Sequence, residues 1–382
     1  VVNVGEAFSF TVNATNAPRS FAIENPAEIP GWISLNATTG VLSGTAFSAG
    51  NFSVNITATN SMGTSRASLV IRSVLDRPVV TVPSTVFAFA GLPFSYRIPG
   101  TYLPSSYAAA GLPGWLTLNA TTGELSGTPP ATGNASVSVS ASNAVGTGNA
   151  TLGISILTPL RDVPAFDPGQ FGYPSASGRF YIDGDWVEGL PIPAFRLARV
   201  ETTLGEWRSV REWANANGYD LVEGEGSAPG HPVRGVNFLD AVKWCNARSE
   251  REGLQPVYST NSQIYRTGQP RPNAIGVNGS ANGYRLPTRY ETWWASKGGA
   301  NESFAYSGGN DADTVAVHSG NSPGAVPAIL DGRGTRSVGS KAPNSLGIFD
   351  LTGNVGEWIW DFIMVPGAAQ DTGKVWGGNW NA

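Results

Sequence analysis

Sulfur and imidazole are scarce in this 382-residue chain, which has one cysteine, two methionines and two histidines. A single cysteine, Cys245, excludes an internal disulfide framework. His231 precedes a proline in a turn before a strand, His318 falls in a variable loop, and both read as surface histidines. Charge is sparse too. Only 14% of residues are charged and the net charge is -4, so there is no basic patch to attract nucleic acid. No apolar run reaches the roughly 18 residues of a membrane span. The opening Val1-Val-Asn-Val-Gly-Glu6 has no basic n-region and apolar core, so no signal peptide is visible. A Gly-rich phosphate loop, a serine nucleophile elbow and a catalytic carboxylate pair are missing as well.

What is abundant is glycine, proline, serine, threonine and asparagine. That mixture fits β-rich, turn-rich surface modules, and the length suggests about two to four domains. The first half repeats itself. Ile29-Pro-Gly-Trp-Ile-Ser-Leu-Asn-Ala-Thr-Thr-Gly-Val-Leu-Ser-Gly-Thr45 recurs as Leu112-Pro-Gly-Trp-Leu-Thr-Leu-Asn-Ala-Thr-Thr-Gly-Glu-Leu-Ser-Gly-Thr128, at an offset of 83 residues. A period that long is one small domain, which places domains at 1–75 (opening inside a repeat, hence expected to be N-terminally incomplete) and 76–158. Phe52, Val54, Ile56 and Ala58 alternate with polar residues, as do Val137, Val139 and Ala141. Period two means one buried and one wet face, the pattern of a β-sandwich. Thr39-Gly40 and Thr122-Gly123 supply turns, and Trp32 and Trp115 are expected to plug the two cores. Nine Asn-x-Ser/Thr sequons occur, a number that a chain so rich in these residues reaches by chance.

Leu157 to Pro193 carries prolines, glycines and aromatics without helical period, and reads as a linker that becomes the opening hairpin of a third domain, 159–382. Three helices are predicted there. One runs from about Leu204 to Asn217, with a Thr203/Glu206 capping box and Gly218 as its stop. A second runs from Phe238 to Glu252 behind Asn237, with Cys245 on its packed face as a core thiol. The third begins after Thr288, boxed with Glu291, and ends near Gly298, with Trp293 or Trp294 in the core. Tyr258–Ala281 and Ser307–Val338 read as long irregular stretches, which at such lengths serve function or move.

The densest chemistry lies in Ser340-Lys-Ala-Pro-Asn-Ser-Leu-Gly-Ile-Phe-Asp-Leu-Thr-Gly-Asn-Val-Gly-Glu-Trp-Ile-Trp-Asp361. A turn at Pro343-Asn344 leads to a strand-like run, Leu346, Ile348 and Phe349. Asp350 and Glu357 then stand seven positions apart around a glycine loop. Carboxylates with inward carbonyls make a hard-cation set suited to calcium. The alternative is a polar loop that caps an aromatic strand.

Gly353-Asn-Val-Gly-Glu-Trp358 after Leu346-Gly-Ile-Phe-Asp350 resembles the signature of the formylglycine-generating-enzyme, or sulfatase-modifying-factor, family. Asn282-Gly-Tyr-Arg-Leu-Pro-Thr-Arg-Tyr-Glu291 and the stretch from His231 to Asn246 extend the likeness over roughly residues 190 to 382. The resemblance implies a C-type-lectin fold. It also implies calcium held by the side chains of Asp350 and Glu357 and the carbonyls of Gly353 and Val355. It argues against catalysis and against copper, because Ala382 stands where the family's first copper-binding cysteine would be. The three-histidine iron site of related sulfoxide synthases has too few histidines here. Trp376-Gly-Gly-Asn-Trp-Asn381 resembles the opening of the variable region in retroelement-diversified proteins of this fold. By that likeness Trp376, Asn379, Trp380 and Asn381 would contact ligand, while Trp380 could equally be core. The family's closing Gly-Phe-Arg strand is missing, so the domain is expected to be C-terminally incomplete. The repeats in turn resemble immunoglobulin-like domains of bacterial surface proteins.

The expected architecture is therefore two all-β immunoglobulin-like sandwiches followed by an α+β C-type-lectin-like domain. The expected function is non-catalytic: spacers that present a calcium-supported domain to a protein or glycan on another cell or surface, outside a bacterium or phage. An oxidase acting on a protein cysteine and a structural appendage subunit are the alternatives.

Overall fold

The computed structural model describes residues 1–167, 179–182, 185–188, 191–300, 302–322, 334–363 and 372–377. The chain divides into two compact units. One comprises Val1–Thr85, Arg97–Leu125 and Ser136–Gly153; the other comprises Val86–Tyr96, Ser126–Ala135 and Ile154–Ala382.

In the first unit, alternation of apolar and polar residues builds paired sheets. Gly50–Asn60 and Gly63–Val74 form a long antiparallel hairpin from Gly50↔Ser73 to Asn60↔Gly63. Ser20–Ile23 flanks it on one edge and Val2–Asn3 on the other. A second sheet orders Ala7–Thr11, Val41–Thr45 and Ser34–Leu35. Leu42, Val54, Ile56 and Ile71 make the core. Trp32 packs on it edge-on to Phe8 and Phe52, at centroid distances of 6.0 and 5.4 Å. It is half-buried, as is Trp115, so each tryptophan lids its module rather than filling the centre. The repeated Asn-Ala-Thr-Thr-Gly is a turn. Asn36 Oδ1 accepts from the N–H groups of Thr38 and Thr39, both at 3.0 Å, and Asn119 does the same with Thr121 and Thr122.

The second unit carries the helices. Leu160–Val163 pairs antiparallel with Phe195–Ala198, and Phe166 bridges Ile192, so the predicted linker is anchored at both ends. Helix α1 is Leu204–Ala216, α2 Phe238–Arg251, α3 Arg289–Ser296 and α4 Ala312–Val315. Thr203, Asn237 and Thr288 cap the first three as their side chains predict. Only Thr288/Glu291 closes both halves of the box; Glu206 turns instead to Arg248. Trp207 of α1 stacks on Trp244 of α2 at 5.8 Å. Trp293 and Trp294 are both buried, packed on Phe166.

Three further expectations need correction. Tyr258–Ala281 is not structureless: Gln263–Ile264, Tyr258–Thr260 and Gly276–Val277 form a small sheet. Its tight turn is made by Asn261 and Ser262, both at positive φ, a signal that composition does not display. Leu346–Phe349 is not a strand. Asn344, buried, accepts from the N–H groups of Leu346 and Ile348 at 3.1 and 3.2 Å and bends the run into a turn. The histidines are half-buried rather than surface residues. His231 Nδ1 lies 3.1 Å from Thr335 Oγ1, and burial pushes its pKa down to about 4. His318 Nε2 lies 3.0 Å from Asp313 Oδ1.

Candidate functional site

The loop from Asp350 to Glu357 is held from three sides. Phe349 donates its N–H to the Arg199 carbonyl at 2.7 Å, which fixes the approach. Asp350 adopts φ +57 and accepts from the Gly339 N–H at 2.6 Å. Gly353, at φ +87, lies against Val317, whose carbonyl oxygen would be 2.4 Å from any Cβ added there. Only glycine fits. Asn354 is fully buried: its N–H reaches the Val317 carbonyl at 2.8 Å and its Oδ1 accepts from Arg336 N–H at 3.0 Å.

A third carboxylate completes the loop, and sequence spacing does not point to it. Glu201, just past the strand Phe195–Ala198, accepts from the Val355 N–H at 2.8 Å and from Asn354 Nδ2 at 2.7 Å. Between 153 and 154 residues separate these partners, and only burial of a lone acid hints at the link. Glu357 begins the strand Glu357–Ile363, which pairs with Thr372–Trp376. Both of its carboxylate oxygens are shielded from solvent and accept no hydrogen bond from the described residues.

All three acids are thus in low dielectric with like-charged company. Burial pushes Asp350 up to about 6. Burial, then the charge of Asp350, raises Glu357 well above the usual range. Glu201 rises for the same reason, with Asp350 and then Glu357 adding to burial. Among the described residues no lysine or arginine pairs with any of them. Glu201 and Glu357 instead line a cavity of about 930 Å³ walled by Trp207, Trp244 and Trp358. Among the described residues no three His, Cys, Asp or Glu side chains converge tightly enough to cage a metal alone. An ion here would draw on backbone oxygen as well. The orphaned oxygens of Glu357 and the all-oxygen donor set fit a hard cation.

Of the other expected residues, Trp376 pairs with Glu357 across the hairpin, whereas Cys245 lies on a helix outside the loop. Cys245 is buried in α2, and burial pushes its thiol up to about 12. Trp376 is half-buried against the cluster of Phe166, Trp293 and Trp294. Asn379, Trp380 and Asn381 lie outside the described residues.

Comparison with known proteins matches residues 166–382 to the sulfatase-modifying factor enzyme 1-like domain. An Ig domain family matches residues 1–74 and 77–157. The chain is 35% identical over 208 residues to the protein named chaperone protein LppX of Paenibacillus barcinonensis, covering 50% of this chain and 71% of the relative. It is 28% identical over 232 residues to the formylglycine-generating enzyme of Mycobacterium tuberculosis, covering 53% and 74%. Treponema denticola variable protein 1 is a solved structure at 21% identity and TM-score 0.42, covering 64% of this chain and 88% of that one. The architecture is two immunoglobulin-like β modules followed by a C-type-lectin-like domain. Because the first of these matches takes in more than half of the chain, the protein belongs to the sulfatase-modifying factor enzyme 1-like family.

Proposed function

We propose that this protein is a non-catalytic binding protein of a bacterial or phage surface, in which the immunoglobulin-like modules space a calcium-supported domain toward a protein ligand. The observation that carries the reading is a contrast in chemistry. The single cysteine is a buried thiol whose raised pKa keeps it protonated, while Glu357 closes the loop with two carboxylate oxygens that no described residue bonds. Calcium would be held by Asp350 and Glu357 through carboxylates and by Gly353 and Val355 through carbonyls, with Glu201 bracing the loop. Such an ion supplies positive charge where three buried acids otherwise repel. A protein is favoured over a glycan because the relative at 35% identity is named a chaperone. The patch from Trp376 to Asn381 would contact it, in the manner of a retroelement-diversified surface.

The competing reading is oxidation of a protein cysteine, which the relative named formylglycine-generating enzyme keeps in view. Incubating the purified chain with copper and a cysteine-containing peptide separates the two. The thiol is expected to survive, as followed by mass spectrometry, while calcium raises the melting temperature. Peptide turnover would replace the binding reading by the oxidase.

A further inference from the structure

The stretch Thr335–Gly339 is bonded on both sides. Toward the carboxylate loop, Arg336 N–H donates to Asn354 Oδ1 at 3.0 Å and Gly339 N–H to Asp350 Oδ2 at 2.6 Å. Between these two, Ser337 turns the other way: its hydroxyl donates to the Ser95 carbonyl at 3.1 Å. Gly339 backs onto Phe89, whose ring would lie 3.2 Å from a Cβ built there. Phe349, the neighbour of Asp350, meets Phe87 and Phe89 at centroid distances of 5.0 and 5.7 Å. Phe89, Leu92, Val200, Val338 and Phe349 are buried together as one cluster.

Residues 86–96 come from the second repeat, yet they pack in the same compact unit as the loop. The two residues that position Asp350, Gly339 through a hydrogen bond and Phe349 through the chain, both touch Phe89. A segment packed this way cannot loosen without releasing the strap that holds the acids.

We infer that the segment Val86–Tyr96 is a working part of the ion site: it sets the loop's affinity for calcium, and calcium in turn orders the segment. The inference rests on the calcium reading above. Linkage makes the two effects reciprocal, so each is a check on the other.

The experiment uses the full chain titrated with calcium chloride in a calorimeter, beside hydrogen exchange over residues 86–96 with and without calcium. Calcium is expected to slow exchange in this segment. Phe89→Leu and Ser337→Ala are each expected to weaken calcium binding about fivefold or more. Ser337→Ala removes only the hydroxyl that donates to the Ser95 carbonyl and serves if the core variant does not fold. Calcium binding with unchanged exchange, and with both variants within about twofold of the parent, overturns this inference alone. No calcium binding by the full chain overturns the calcium reading and this inference with it.

Discussion

Two sets of buried acids sit in the same unit and are treated differently. Glu206 faces Arg248 at 2.7 Å, Glu291 faces Arg285 at 2.6 Å, and Asp240 faces Lys243 at 3.0 Å. Glu201, Asp350 and Glu357 have like-charged neighbours and N–H dipoles instead. For Glu291, burial works upward, but the Arg285 fork and the Thr288 N–H outweigh it and leave the acid below its usual range. For Asp350, burial is opposed only by the Gly339 N–H, and the acid rises to about 6. The first set supplies its own countercharge and pins helices. The second has no lysine or arginine partner among the described residues, which is where the proposed calcium would act.

The widest gap between the sets should open on removing a partner. Arg248→Met strands Glu206 and is expected to cost about 3–5 kcal/mol in denaturant unfolding, with or without calcium. Asp350→Asn with Glu357→Gln should do the opposite. Without calcium the melting temperature holds or rises, because repulsion is relieved. What disappears is the calcium response, about 2.7 kcal/mol at a hundredfold excess over Kd. A double variant that still responds to calcium would break the comparison.

pH sharpens it further. Asp350 in the ion-free fold holds its proton up to about 6, above its ordinary value of 3.8. Ion-free stability is therefore greatest below about 4 as far as this group decides, and is lost as pH rises through 6; calcium should cancel that loss. His231 runs the other way. Its native pKa of about 4 lies below the ordinary value of 6.5, so the stability it contributes is complete above about 6.5 and drains away as pH falls through 4. His231→Gln should remove about 2 kcal/mol of acid sensitivity, measured as the difference in unfolding free energy between neutral and acid solution. The smallest effect is local: Thr288→Ala takes the cap from α3 and should cost about 1 kcal/mol without touching calcium binding.

Much of the fold is legible along the chain because it is written at short range. Thr288 and Glu291 meet across one helical turn, and Asn36 bonds its own neighbours, so three or four positions contain the whole interaction. Alternation over Phe52–Ala58 marks the buried face of the hairpin by the same logic. The loop from Asp350 to Glu357 is visible as a motif. Its third acid is not, since Glu201 reaches Val355 only after the strand and the loop have been folded against each other. The bend of Leu346–Phe349 beyond the expected Pro343-Asn344 turn was hidden for a similar reason: these residues are apolar enough for a strand, and the buried Asn344 amide overrides that preference.

By itself the sequence determined the repeated β modules, the caps and faces of α1 to α3 and the two loop carboxylates, because periodicity and capping depend on near neighbours. Tertiary structure alone decided that Glu201 joins those carboxylates and that Phe87 and Phe89 lie against Phe349. Whether an acid meets an arginine or another acid is a property of packing, since desolvation depends on everything that closes around it.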